Sequence, residues 1–243
     1  MPRSREAGLP GARMTKYQAL LLVAFLGAWT WAAIDPVFRK DWLLENVLVF
    51  IFVPILLLTG VYFRLSSVSY TLITLFMVLH VVGSHYTYER VPFGNTLQRW
   101  TGADRNMYDR LVHFSFGLLL AYPIREMFTR VAKARGFWGF FLPFDVTMSF
   151  SAIYEIIEWQ SAKDASAAGI AFLGAQGDIW DAQKDMTMAG LGALIAMTVT
   201  FLIRARYDRS LWKEMRDSFR IPTGDKPSGE DELRELIEDS SRL

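Results

Sequence analysis

The chain has 243 residues, of which 52% are apolar and 21% are charged, and its formal net charge is +1. This near-neutral charge gives no electrostatic footprint for binding nucleic acid, and the lack of cysteine excludes disulfides and thiolate metal sites. Residues 17–34, 47–63 and 186–203 carry no charged side chain. Because about 20 apolar residues span a bilayer as a helix, such runs exclude a soluble globular domain.

The hydropathy pattern predicts an all-α fold, a polytopic membrane helix bundle with about six transmembrane helices. The predicted spans are residues 17–34, 43–63, 66–86, 108–128, 140–160 and 183–204. The fourth span is free of charge only from Leu111 to Ile124, and the fifth contains Asp145. Both remain predicted spans because a bundle interior tolerates polar residues that lipid does not. The first span has no suitable cleavage site after it, which indicates an uncleaved anchor.

Basic residues are more frequent at one end of the predicted spans than at the other. The richer end holds Arg3, Arg5, Arg13, Lys16, Arg64, Arg125, Arg130, Lys133, Arg135, Arg204, Arg206, Arg209 and Lys213. The poorer end holds Arg39, Lys40, Arg90, Arg99, Arg105 and Lys163. Since Lys and Arg accumulate in cytoplasmic loops, we expect a multi-pass protein of the bacterial inner membrane with both termini in the cytoplasm.

This topology divides the chain into a cytoplasmic tail over residues 1–16, a transmembrane domain over 17–205 and a charged cytoplasmic tail over 206–243. In the C-terminal tail, Leu211, Trp212, Met215 and Phe219 recur at helical spacing among charged residues, which predicts a short helix on the membrane interface. Ser228 resembles the N-cap of a last helix. That helix would contain Leu233, Leu236 and Ile237.

Ionisable side chains collect at one end of the predicted bundle. The third and fifth spans end on the side of the membrane where the fourth and sixth begin, so four helix ends meet there. They supply all three histidines of the chain and six carboxylates: His80, His85, Asp109, His113, Glu155, Glu158, Asp178, Asp181 and Asp185. Given the distribution of Lys and Arg, this end faces outward. We expect one outward-facing cavity to hold His80 or His85, together with Asp109, His113, Glu155, Glu158, Asp181 and Asp185.

Spacing and charge favour a metal site in this set. Asp109 and His113 are four residues apart and project from one helix face. Only Arg105, Arg110 and Lys184 balance the six carboxylates, and a buried carboxylate is costly unless it is paired or bound to a cation. Mixed histidine and carboxylate ligands suit zinc, manganese or iron better than calcium. Apart from such a metal ion, no cofactor is predicted from the sequence.

We therefore assign candidate roles to the polar residues. The candidate catalytic residues are Asp109, His113, Glu155 and Glu158. The candidate metal ligands are His80, His85, His113, Asp178, Asp181 and Asp185. Each of these residues also has a purely structural interpretation. In that interpretation Asp109 caps a helix, and His113 is a hydrogen-bonded core residue. The two glutamates are interfacial carboxylates, and the three aspartates belong to the solvated start of a helix.

Small residues in the last span predict close helix packing. Ala189, Gly190, Gly192, Ala193 and Ala196 lie within two helical turns of one another. Small residues allow helix backbones to approach closely in lipid. We expect at least one of the two glycines to face a neighbouring helix.

Three functions are compatible with these features. The first is a metal-dependent hydrolase of a lipid or isoprenoid-linked substrate at the outer leaflet, because histidine and carboxylates can hold a metal and supply a general base. The second is a non-enzymatic membrane scaffold stabilised by its polar helix ends. The third is a small proton or cation transporter that uses the same carboxylates. In each case the lipid bilayer is the expected partner.

Four strings carry a resemblance to a known family. They are HVVGSHYTYERVPFGN from His80, NMYDRLVHFSFG from Asn106, YEIIEW from Tyr154 and GAQGDIWDAQKDM from Gly174. They resemble the YjdF family of bacterial inner-membrane proteins, which carry a domain of unknown function. The resemblance extends over roughly residues 20–205 and implies a multi-pass membrane protein with no assigned activity.

A weaker resemblance is to the VanZ-like membrane proteins, which are linked to teicoplanin resistance. Asp109 and Arg110 precede His113 as an acidic-basic pair does in that family, and Glu155 matches its acidic residue at the end of a later span. Asp181 matches the acidic start of its last span, but Asp185 replaces the asparagine found four residues on.

Overall fold

The computed structural model describes residues 14–162, 176–220 and 229–240. Within these ranges the chain forms nine α-helices and no strand. The helices are α1 (Lys16–Ala33), α2 (Arg39–Tyr62), α3 (Ser67–Tyr86), α4 (Pro92–Thr101), α5 (Tyr108–Arg130), α6 (Trp138–Ala162), α7 (Asp181–Tyr207), α8 (Leu211–Asp217) and α9 (Glu230–Ser240). The predicted all-α fold is confirmed. The basic residues of the N-terminal tail before Met14, Lys163 and Ser228 lie outside the described residues.

Four helices are long and apolar enough to cross a membrane: α2 over Arg39–Gly60, α3, α6 over Trp138–Gln160, and α7. They coincide with the second, third, fifth and sixth predicted spans. Helix α1 has only 18 residues and begins with Lys16, and α5 is charged near both ends, with Asp109 in its first turn and Arg130 in its last. The chain is therefore a multi-pass helical membrane protein, and the count of six spans remains a prediction.

Helix α5 is the centre of the bundle. It packs against α3, α6 and α7, while α1 and α2 pack on α3. The main core lies between α1, α3 and α5 and includes Phe25, Phe76, Val81 and Val112. Many Leu, Ile and Val side chains on the outer faces are exposed, as expected of surfaces that contact lipid.

The contact between α5 and α7 is made by small residues. A Cβ atom at Gly117 of α5 would overlap the carbonyl oxygen of Ala189, and a Cβ atom at Gly192 of α7 would overlap that of Phe114. The Cβ position of Gly190 faces the Met148 sulfur of α6 at 2.7 Å. The prediction that at least one of Gly190 and Gly192 faces a neighbouring helix is confirmed.

Helix α4 is short and amphipathic, and it is not among the predicted helices. Trp100 and Phe93 are exposed on it, as is typical of helices that lie in the membrane interface. Asn106 holds α4 against the start of α5: its side-chain amide donates to the carbonyl oxygen of Val91 at 3.0 Å and to Asn95 Oδ1 at 2.8 Å. These two hydrogen bonds fix the direction in which the chain enters α5.

Helix α8 contains Leu211, Trp212 and Met215 of the predicted interfacial helix. Leu211 is fully buried, and Trp212 is exposed. The helix is anchored on α6 because the Ser218 hydroxyl accepts a hydrogen bond from the Phe137 backbone and the Ser218 carbonyl accepts one from Trp138 Nε1. Helix α9 contains Leu233, Leu236 and Ile237, all of which are exposed.

Candidate metal centre

Three potential ligands converge where α5 and α7 begin. Asp109 and His113 lie in the first two turns of α5, and Asp185 lies in the second turn of α7. Each offers one ligand atom, these three atoms lie within 4.8 Å of one another, and all three residues are buried. A histidine and two carboxylates form a donor set suited to zinc or manganese.

The small-residue contact below these ligands explains why they meet. His113 is followed four residues later by Gly117 on α5, and Asp185 is followed four residues later by Ala189 on α7. Residues four apart share a helix face, and Gly117 lies directly against the Ala189 backbone. The close approach of the two backbones therefore brings the ligand-bearing turns above it together.

Helix α6 places Glu155 beside this group. His113 Nε2 lies 3.6 Å from Asp109 Oδ1 and 3.5 Å from Glu155 Oε1. These distances are long for N–H···O hydrogen bonds. The separation of His113 from Asp109 is close to that of two ligands of one tetrahedral ion, which are about 3.4 Å apart when each bond is about 2.1 Å. Glu155 adjoins the group of three potential ligands without belonging to it.

Two carboxylate oxygens of the group have unused acceptor capacity. Asp185 Oδ1 and Glu155 Oε1 are buried and accept no hydrogen bond from the part of the chain that the structure describes. The residues are 1% and 7% exposed, respectively. A buried polar atom of this kind requires a partner, and a cation between these residues would provide one.

Two arginines neutralise part of the negative charge. Arg105 pairs with Asp181 and lies 3.4 Å from Asp109 Oδ2. Arg110 pairs with Asp185 and lies 2.6 Å from Asp181 Oδ1. These two guanidinium groups bridge the starts of α5 and α7 whether or not a metal ion is bound.

Asp178 lies at the exposed edge of the cluster, before α7. It accepts a hydrogen bond from Lys184 Nζ at 2.6 Å, which lowers the pKa of the Asp178 carboxyl. Arg110 lies 3.3 Å from Asp178 Oδ2. The predicted ligands Asp178 and Asp181 are therefore engaged by basic side chains, and the six carboxylates of the set still outnumber Arg105, Arg110 and Lys184.

The two remaining predicted ligands have other contacts. His80 Nε2 lies 3.1 Å from the Glu45 carbonyl oxygen, and His80 Nδ1 lies 2.6 Å from the Tyr88 hydroxyl. His85 Nδ1 lies 3.1 Å from the Ala32 carbonyl oxygen, and its ring stacks on Trp31. Neither histidine belongs to the group of three potential ligands.

Glu158 lies beside the cluster rather than inside it. Glu158 is buried and lies three residues after Glu155 on α6. It is outside the group of three potential ligands.

Three further polar residues at this end of the bundle, Glu45, Asp41 and Tyr154, are not among the predicted site residues. Glu45 and Asp41 are buried on α2, and Tyr154 donates a hydrogen bond to Glu45 Oε2 at 2.9 Å. The signal was present in the sequence: two carboxylates four residues apart start the second span at the same end of the bundle as the histidines. The predicted group of polar helix ends includes only those of the third to sixth spans.

Comparison with known proteins identifies the family. Residues 17–206 match the family described as a predicted membrane protein (DUF2238). The chain belongs to the DUF2238 family. It is 44% identical over 167 residues to the inner membrane protein YjdF of Escherichia coli (strain K12), and the aligned part covers 68% of this chain and 79% of that protein. No solved structure matches the chain.

The family match confirms the resemblance to YjdF proteins predicted from the four strings. The region that matches the DUF2238 family contains Asp109, His113, Glu155 and Asp185. It ends at residue 206, before helix α8. The candidate metal centre therefore lies within the part of the chain that defines membership of the DUF2238 family.

Proposed function

We propose that this protein is a metal-dependent hydrolase of the bacterial inner membrane that acts on a lipid or isoprenoid-linked substrate at the outer leaflet. The observation that carries the proposal is the convergence of Asp109, His113 and Asp185 in one buried group, with Glu155 beside it. The position of the group at the helix ends supports a substrate whose scissile bond lies near the membrane surface.

Each residue of the group has a separate role in the proposed reaction. A divalent ion held by Asp109, His113 and Asp185 would supply Lewis-acid activation of water. Glu155 Oε1 accepts no hydrogen bond from the described residues, and Glu155 would act as the general base that takes a proton from the attacking water. Arg105 holds Asp109, and Arg110 holds Asp185, so the ligands keep their positions before the ion binds.

The proposed topology has six spans, with both termini in the cytoplasm. Helices α1 and α5 would be about 27 Å and 34 Å long at 1.5 Å per residue, close to the hydrocarbon thickness of about 30 Å. The uneven distribution of Lys and Arg supports the orientation, and the name of the E. coli relative supports the inner membrane. The bundle would be one domain over 17–205, flanked by tails at 1–16 and 206–243.

Topology reporters test this arrangement. Alkaline phosphatase fused after Asp164 should be active, because that loop is expected outside, and the same reporter fused after Arg206 should be inactive. A fluorescent protein that matures only in the cytoplasm should give the opposite pattern at the two sites. If both fusions report the same side, either the fifth or the sixth span is wrong.

Metal analysis of detergent-purified protein tests the function. We expect about one zinc or manganese per chain, because three ligands define one site. Asp109→Asn, His113→Ala and Asp185→Asn should each lower the bound metal at least about tenfold. His85→Ala and Asp145→Asn are the matched controls, since His85 lies outside the group and Asp145 is exposed on α6. Equal metal content in all five variants would refute the site.

The scaffold is the second candidate, and one observation favours it. The pairs of Arg105 and Arg110 with Asp181 and Asp185 tie α5 to α7 without a metal. A scaffold predicts that purified protein contains no stoichiometric metal and that added zinc leaves its melting temperature unchanged. The same metal analysis therefore separates the two functions.

A further inference from the structure

A cavity of about 260 Å³ lies between α1, α2 and α3. Its wall is mainly apolar and is formed by the first half of α1, the second half of α2 and the first half of α3. Helix α5 begins beside the end of α3, where the Tyr108 hydroxyl donates a hydrogen bond to the Leu79 carbonyl oxygen. The cavity therefore lies at the opposite end of the bundle from the candidate metal centre.

The contacts of α1 explain why the cavity forms. Near the end of α1, the Trp29 indole donates a hydrogen bond to Asn46 Oδ1 of α2 at 2.7 Å, and the centroids of the Trp29 and Trp42 rings are 5.9 Å apart. Near the start of α1, the Tyr17 hydroxyl is instead hydrogen-bonded to Thr71 of α3 at 2.7 Å. Because α1 is tied to α2 at one end and to α3 at the other, a cleft remains between the start of α1 and the end of α2.

The cleft is open at the surface and extends over most of one leaflet. Met14 and Leu57 in its wall are 47% and 46% exposed, respectively. The wall follows α2 from Phe52 to Gly60, which is about 12 Å at 1.5 Å per residue, and one leaflet contributes about 15 Å of hydrocarbon. The volume is just below the range of about 300–1,000 Å³ for small-molecule pockets, so it suits one acyl chain rather than a whole lipid.

Polar groups of the wall lie where the cleft reaches the end of the bundle. Arg64 follows α2, and Gln18 lies in the first turn of α1. Tyr70, in the first turn of α3, places its hydroxyl 3.4 Å from the Cβ position of Gly60. No hydrogen bond joins this hydroxyl to the residues that the structure describes. The mouth of the cleft therefore offers a hydroxyl donor and a cationic side chain to a ligand.

Basic side chains are concentrated at this mouth. Lys16 begins α1, and Arg130 donates a hydrogen bond to the Arg64 carbonyl oxygen at 2.7 Å. Glu126 pairs with Arg130, so three basic side chains accompany one carboxylate. Basic pockets between membrane helices at the cytoplasmic side bind anionic headgroups.

We propose that this cleft binds an anionic phospholipid, with one acyl chain between α1 and α2 and the phosphate group at Arg64 and Tyr70. The acyl chain contacts Leu22, Phe25 and Phe52, and the guanidinium and hydroxyl groups donate hydrogen bonds to phosphate oxygens. The surrounding basic residues favour a headgroup with net negative charge over a zwitterionic one. Binding does not depend on the metal centre, and only its assignment to the cytoplasmic leaflet rests on the proposed topology.

Native mass spectrometry of the detergent-purified full chain, titrated with phosphatidylglycerol, tests the headgroup contact. We expect one tightly bound lipid per chain and weaker binding of phosphatidylethanolamine. Arg64→Met should lower the affinity for phosphatidylglycerol about tenfold, because it removes a charged donor to the phosphate. Arg90→Met is the matched control, since Arg90 follows α3 at the other end of the bundle. Equal affinities of wild type and Arg64→Met would overturn the proposal.

Gly60→Phe tests the position of the acyl chain. The ring would enter the cavity beside Tyr70, so the bound lipid should be lost, whereas Gly27→Phe should retain it because nothing lies within 4 Å of the Gly27 Cβ position. If Gly60→Phe does not fold, Tyr70→Phe should still weaken binding severalfold, the effect of one hydrogen bond, and unchanged binding would overturn the proposal. A lipid-free dimer that dissociates in Gly60→Phe would overturn it in favour of a second copy of the chain.

Metal content keeps this test separate from that of the hydrolase. Arg64, Gly60 and Tyr70 lie outside the group of three potential ligands, so their variants should contain as much metal as wild type. Lipid binding in a protein that contains no metal would refute the hydrolase alone. A metal-containing protein in which Gly60→Phe leaves lipid binding unchanged would refute the lipid site alone.

Discussion

Gly117→Leu is expected to cause one of the largest losses of stability of any single substitution in the bundle. A Cβ atom at Gly117 would overlap the backbone of Ala189 and lie 2.7 Å from the Ala193 backbone nitrogen. Overpacking of a core costs typically about 1–3 kcal/mol and occasionally more. Backbone atoms cannot rotate away as a side chain can, so we expect the upper end of this range. The measurement is the melting temperature of the detergent-purified protein.

Substitutions at two other glycines serve as controls for this experiment. Gly27→Leu on α1 should leave the melting temperature almost unchanged, because nothing lies within 4 Å of its Cβ position. Gly190→Leu should have an intermediate effect, since the Met148 side chain that faces it can move. Similar melting temperatures for Gly117→Leu and Gly27→Leu would show that α5 and α7 are not in close contact.

The same contact links stability to the candidate site. Gly117 lies one turn below His113, and Ala189 lies one turn below Asp185. Separating the two helices at Gly117 would move His113 away from Asp185 by the same rigid displacement. Gly117→Leu protein that still folds should therefore bind less metal than wild type, although neither Gly117 nor Ala189 offers a ligand.

The sequence predicts the membrane architecture well because a span is indicated by the mean hydropathy of a whole helix and does not depend on any single residue. The spans at 43–63, 66–86, 140–160 and 183–204 each correspond to a helix that is apolar and long enough to cross the bilayer. The spans at 17–34 and 108–128 also correspond to helices. Their lower hydropathy comes from polar residues such as Lys16 and Asp109, so composition alone does not decide whether α1 and α5 cross the membrane.

The candidate site is predicted less completely. The alternating direction of successive spans, which we call helix parity, indicates at which end of the bundle a residue lies. It does not indicate how each helix is rotated about its axis, and so which neighbour a side chain faces. Parity correctly predicts that His85 and His113 belong to the same end of the bundle. Only the rotation of α3 directs His85 toward the Ala32 carbonyl of α1, while the rotation of α5 directs His113 toward Glu155. The pairing of Glu45 with Tyr154 joins residues 109 positions apart in sequence. No local spacing rule reports such a contact.

Arg110→Met is expected to destabilise the bundle by about 3–5 kcal/mol, the usual cost of removing one partner from a buried ion pair. The Arg110 guanidinium group contacts carboxylates of Asp178, Asp181 and Asp185, and its side chain is 6% exposed. Without it, these carboxylates repel one another at the start of α7. The melting temperature should fall well below that of Arg90→Met, which removes an exposed pair with Glu89 and should cost less than about 1 kcal/mol.

Added zinc then distinguishes a metal site from a purely structural ion-pair network. If Asp109, His113 and Asp185 bind a divalent ion, zinc stabilises the folded state by mass action. The ion also replaces positive charge that Arg110→Met removes, so zinc should raise the melting temperature of this variant more than that of wild type. Arg110→Met combined with Asp185→Asn should regain part of the lost stability without zinc and respond less to it. An equally low melting temperature of Arg110→Met with and without zinc would favour the scaffold, in which Arg110 is the only cation that Asp185 requires.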